Sequence, residues 1–79
     1  MERRASENEY MYGTTYDYWY NRIRKLKKDS APERTVTEAT ATFEQYRSDG
    51  VRLKGELEAA DFKKWIDKQT AIIDAFAKN

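Results

Sequence analysis

Tyr16-Asp17-Tyr18-Trp19-Tyr20-Asn21-Arg22-Ile23-Arg24-Lys25-Leu26-Lys27-Lys28 decides how this chain folds, because four aromatic residues in five positions run directly into five basic residues in seven. At about 100° per residue, Tyr12, Tyr16, Trp19, Tyr20, Ile23 and Leu26 gather on one side of a helix. Asp17, Asn21, Arg24, Lys25 and Lys28 fall on the other, and Tyr18 projects with them. The stretch is therefore an amphipathic helix with an aromatic core face and a cationic outer face. Its charge order suits the helix dipole, with Asp17 early and Lys25, Lys27 and Lys28 late.

Working outward, Thr14 with Asp17 matches a capping-box pattern, and Gly13 before it allows the chain to bend. Residues 1–13 are polar and aperiodic until Tyr10, Met11 and Tyr12, so they read as a loosely ordered, flexible tail that docks through those three side chains. On the C-terminal side, Asp29-Ser30-Ala31-Pro32-Glu33 ends one helix and starts another. Pro32 suits a first turn, where its missing N–H costs nothing, and Ser30 with Glu33 forms a second capping-box pattern. So short a connection implies antiparallel neighbours.

Val36, Ala39, Phe43 and Tyr46 recur at spacings of three and four, in register through Gly50 with Leu53, Leu57 and Ala60. Interior glycines cost about 0.8–1 kcal/mol each relative to Ala, and Gly50 is placed to act as a left-handed C-cap, so a break is expected at residues 49–56. Two other readings stand beside it. Residues 35–42, rich in Thr and Val, could pair as a strand with residues 51–53, or one continuous helix could run from residue 31 to about 60. Phe62, Trp65, Ile66, Ile72, Ile73 and Phe76 then form a last apolar stripe, with Gln69 in its middle. That amide needs a partner, either a tyrosine hydroxyl or a subunit interface.

The expected fold is all-α, a small three-helix domain with helices at about residues 14–29, 31–49 and 57–77 and a flexible N-terminal tail. No repeat, linker or low-complexity tract divides residues 14–79, which form a single helical domain.

Composition bounds the chemistry. At 79 residues, 39% apolar and 37% charged, the chain has a small core, and 14% aromatic content argues against wholesale disorder. No Cys and no His excludes thiol and imidazole nucleophiles, bases and metal ligands. Of the carboxylates Glu56, Glu58 and Asp61, the last two are three apart, but no His, Asn cluster or calcium-loop pattern accompanies them, and Gly13, Gly50 and Gly55 are too scattered to cradle a phosphate. We expect a non-enzymatic protein with no metal and no cofactor. No run approaches the roughly 18 apolar residues of a membrane span, and the N-terminus lacks the apolar segment of a secretion signal, so the expected location is cytoplasmic, away from membranes.

Net charge is +1, so any electrostatic recognition is local. It concentrates in residues 14–29, which carry +3, against −2 in residues 30–49. Tyr18, Arg22, Arg24, Lys25, Lys27 and Lys28 form the candidate partner-binding set, for protein or nucleic acid. Tyr and Arg favour a protein hot spot, whereas phosphate would be drawn by the cations and a base could stack on the phenol. The acidic second segment and the small net charge favour the protein partner. The expected function is a small helical interaction protein that regulates or inhibits a larger assembly. A DNA- or RNA-binding accessory factor is the alternative. Size and composition, with no motif behind them, also suit a phage or mobile-element protein acting on a host defence complex. Trp65, Gln69, Ile72 and Phe76 are the candidate self-association set. If the other helices leave them uncovered, a homodimer would cover them, and Gln69 would fix its register.

Overall fold

The computed structural model describes residues 3–77, with side chains described from Ser6 onward. Its elements are α1 (Arg3–Lys28), α2 (Glu33–Glu56) and α3 (Ala59–Phe76), and among the described residues there is no strand. The three-helix all-α architecture is thus as expected, and the strand pairing of residues 35–42 with 51–53 is excluded. The bundle is long and thin, 45 × 16 × 16 Å, with a radius of gyration of 13.4 Å against about 12 Å for a rounder chain of this length.

Tyr12 lies beside Tyr46 and Asn8 reaches the end of α2, so α1 and α2 are antiparallel. Trp19 meets Phe76, and Met11 lies beside Ala59, so α3 returns parallel to α1. Because α3 ends level with Trp19, the last turns of α1 and the first of α2 extend past it as a two-helix hairpin.

Two boundaries differ from expectation. α1 begins at Arg3, eleven residues before Thr14, so the tail boundary moves toward the N-terminus; residues 1 and 2 of that tail lie outside the described residues, as do residues 78–79. The seam extends backward in phase from Trp19 through Thr15, Tyr12 and Asn8. Asn8 and Thr15 are buried and Tyr12 half-buried, and this packing holds the early turns helical where local signals point to a tail. Thr14 and Asp17 consequently lie in mid-helix and cap nothing. The second helix runs through Gly50 and Gly55 to Glu56, and the break falls at Leu57 and Glu58 instead of residues 49–56. Gly50 has no positive φ and does not end a helix. It is buried because the Tyr12 ring lies directly against its Cα, with Trp65 alongside, so its value is the absence of a Cβ.

Ser30 also has a different role. At φ 60° it is left-handed, with Ser30 N–H donating to the Lys27 carbonyl (3.1 Å) and Ala31 N–H to that of Leu26 (2.9 Å). These are the two bonds of a Schellman motif, so Ser30 closes α1 where glycine is the commoner choice. It does not cap α2. Pro32 occupies that N-cap position, without a side-chain bond, one residue before the helical turn in which it was expected.

Two aromatic layers cross the bundle. In one, Tyr12, Tyr46 and Trp65 stack across all three helices, with centroid separations of 5.1 and 5.3 Å and interplanar angles of 11° and 6°. In the other, Trp19 contacts Phe43 and Phe76, both at 5.9 Å, while Tyr16 meets Phe43 edge-on at 5.0 Å. Ile66 and Ile73 fill in from α3, and Ile23, Leu26 and Ala39 extend the core into the hairpin. Tyr46 Oη donates to the Tyr12 carbonyl at 2.6 Å. Burial pushes the Tyr46 phenol above its usual value, and more weakly that of Tyr12.

Candidate interaction surface

The outer face of α1 gathers its functional groups in the last three turns, where the core-facing residues Trp19, Ile23 and Leu26 fix the helix rotation. That rotation turns Tyr18, Asn21, Arg24, Lys25 and Lys28 outward. Tyr18 is 38% exposed and Tyr20 52%, so the wheel assignment of Tyr20 to the core side is corrected. Tyr20 sits at the solvent edge of the aromatic stripe.

Each of these two rings carries a guanidinium. Arg22 lies over Tyr18 at 5.9 Å from the centroid and Arg24 over Tyr20 at 6.0 Å, both within cation–π range. These contacts restrict two long side chains before any partner arrives, which reduces the rotamer entropy lost on binding. Tyr18 Oη also donates a short hydrogen bond to Asp74 Oδ1, tying the face to the end of α3. Arg22 is half-buried, and its Nε has no hydrogen-bond partner among the described residues.

Lys25 pairs with Asp29 at 3.3 Å, an exposed contact of small energetic weight. Lys27 and Lys28 are exposed and have no ion-pair partner among the described residues. Two shallow concavities flank Asn21. Arg24, Lys25 and Lys28 line one, and Tyr18, Arg22 and Lys25 the other. The structure therefore brings Tyr18, Arg22, Arg24, Lys25 and Lys28 onto one continuous surface; Lys27 is exposed in the same last turn.

The self-association set is divided by the fold. Trp65 stacks on Tyr46 and Phe76 packs on Trp19, while Gln69 is half-buried and Ile72 is 39% exposed. Most of the apolar area that set would offer a second copy is already used inside the bundle. Among the described residues, no group of three or more Asp, Glu, His or Cys side chains is placed to hold a metal ion, and no helix is long and apolar enough to cross a membrane.

One functional side chain escaped the sequence reading. Asn8 is fully buried, and its Nδ2 donates to the carbonyls of Lys54 at 3.1 Å and Leu57 at 2.8 Å. It caps the C-terminal end of α2 from another helix, satisfying carbonyls that have no partner within their own helix. The available signal was its phase, four residues before Tyr12 on the same seam. Lys54 adds an ion pair to Glu9 at 2.7 Å and lies over the Tyr12 ring at 5.2 Å.

Comparison with known protein families, with curated proteins and with solved structures finds no match.

Proposed function

We propose that the chain is a non-enzymatic helical interaction protein that regulates or inhibits a larger protein assembly, with the Tyr-Arg-Lys face of α1 as its contact surface. The observation that carries this reading is the pair of exposed tyrosines, each holding an arginine, beside Lys25 and Lys28 on one rigid helix. Tyr and Arg are the residue types that concentrate binding energy in protein interfaces, and a helix presents them at low ordering cost. The complementary partner surface is acidic, which also steers encounter. The narrower version, a phage or mobile-element protein acting on a host defence complex, rests on size and composition alone.

A second reading, an accessory factor for DNA or RNA, is favoured by exposed Lys27 and Lys28, which have no ion-pair partner among the described residues, and by the exposed Tyr20 ring beside Arg24. Exposed Glu33, Glu38 and Glu44 on α2 weigh against a long phosphate backbone lying across the hairpin.

The test is a fluorescence-anisotropy titration of labelled duplexes and single strands at two salt concentrations, beside affinity capture with the native chain and with R22A/R24A/K25A/K28A. The protein-contact reading expects weak nucleic-acid binding and a captured protein that is lost with the variant while helix content is kept. Tight binding that weakens steeply with salt and disappears in the variant would replace it with the nucleic-acid reading. Equal capture by both chains would discard the surface.

A further inference from the structure

A second surface runs along the same side of the molecule. Between the early turns of α1 and the first turns of α3 lies an open groove of about 550 Å³. Tyr10 and Met11 form its α1 wall and Ala59 and Ala60 its α3 wall, with Glu7 and Lys63 among the lining residues. Tyr10 is 75% exposed, an unusual position for an aromatic ring in so small a domain. The groove continues past Thr14 and Ile66, where Lys63 pairs with Asp67 at 3.2 Å. The Tyr18–Asp74 hydrogen bond then crosses from α1 to α3, and the concavity lined by Asn21, Arg22 and Lys25 lies beyond it on the same side of α1. This strip of the surface therefore has an apolar end flanked by Glu7 and Lys63 and a cationic end at Arg22, Lys25 and Lys28.

We propose that this strip docks an amphipathic α-helix of the protein partner, running antiparallel to α1. The inference rests on the reading of the basic face as a protein contact and extends it to the groove. The trough between two parallel helices matches a third helix, which would complete a four-helix arrangement. The two alanines permit close approach, and Met11 adapts to the incoming side chains. The groove is open along its length, so it cannot enclose a small molecule as ligand pockets do.

Charge order sets the direction. Carboxylates in the first turns of the partner helix meet Arg22, Lys25 and Lys28, the arrangement that helix's own dipole also favours. Apolar residues at i, i+3 or i+4 and i+7 fill the groove at Tyr10, Met11, Ala59 and Ala60. Tyr10 and Lys25 are about 22 Å apart along α1 at 1.5 Å per residue, so roughly four helical turns separate the anchors from the carboxylates.

The experiment selects displayed helical peptides of about 20 residues, randomised at charged and apolar positions, on the full chain, on A60R and on R22E/K25E/K28E, each checked for helix content. Ala60 is exposed, and Arg is nearly as good a helix former, so A60R fills the groove without touching the core. The expected result is enrichment of peptides with acidic first turns and apolar last turns, whose affinity falls about tenfold or more on either variant, equivalent to about 1.4 kcal/mol. No enrichment, enrichment of the opposite charge order, or affinity unchanged by A60R overturns the proposal. Loss on R22E/K25E/K28E with none on A60R would discard the groove while leaving the basic face standing. Concentration-dependent dimerisation abolished by A60R, read by sedimentation, would place a second copy in the groove and overturn it as well.

Discussion

Substituting Ala at Gly50 and at Gly55 should move stability in opposite directions, although both glycines lie in the same helix. By helix propensity alone each change stabilises by about 0.8–1 kcal/mol. At Gly55 nothing lies within 4 Å of a new Cβ, so that gain should appear in full. At Gly50 the new Cβ would stand 2.7 Å from Tyr12 Cδ1 and 3.4 Å from the Trp65 ring, and closer still to Tyr12 Cε1. Carbon atoms prefer about 3.5–4.0 Å, so the Tyr12 ring must retreat by about 1 Å. It has little room, being stacked on Tyr46 on one side and covered by Lys54 on another. Overpacking costs about 1–3 kcal/mol, and with Tyr12 held on two sides the upper part of that range applies; less the propensity gain, G50A is destabilised by about 1–2 kcal/mol. At about 4–8 °C per kcal/mol, G55A should melt several degrees above the native chain and G50A several below. Urea denaturation followed by circular dichroism gives both values. Y12A should abolish the penalty, so G50A on that background should become neutral or stabilising. A G50A chain as stable as G55A would refute the packing account and return Gly50 to an ordinary helical position.

Asn8→Ala removes both bonds to the carbonyls at the end of α2 and should cost about 1–3 kcal/mol, with hydrogen exchange accelerating first in residues 53–57; an unchanged urea midpoint would remove Asn8 from its capping role. Alkaline stability is the other prediction. An unfolded tyrosine ionises near pH 10, whereas the buried Tyr46 phenol ionises higher. Above pH 10 the unfolded chain therefore binds fewer protons. The stability associated with this group is complete below pH 10 and is lost as pH rises toward the folded value, at up to about 1.4 kcal/mol per pH unit. Tyr46→Phe should be less stable at pH 8, through loss of the bond to the Tyr12 carbonyl, yet fall less steeply from pH 10 to 11.5. Parallel stability curves for the two chains would contradict the burial of that phenol.

The sequence by itself determined the helical class, the number of helices and the face that each buries. Spacings of three and four among Trp19, Ile23 and Leu26, among Ala39, Phe43 and Tyr46, and among Phe62, Ile66 and Ile73 are local periodicities, and local periodicity is visible in one dimension. It also determined the cationic outer face of α1, since the rotation that buries Trp19 exposes Lys25 and Lys28. Only the tertiary structure decided where the helices begin and end. Gly50 resembles a C-cap until Tyr12, 38 residues away, is placed against it. Asn8 resembles a tail residue until the end of α2 arrives beside it, and Ser30 resembles an N-cap until its φ shows which helix it closes. The apolar groove beside Tyr10 was likewise absent from any helical wheel, because its two walls belong to α1 and α3 and meet only when the bundle closes. Each of these depends on contacts between residues distant in the chain, which helical phase constrains but does not specify.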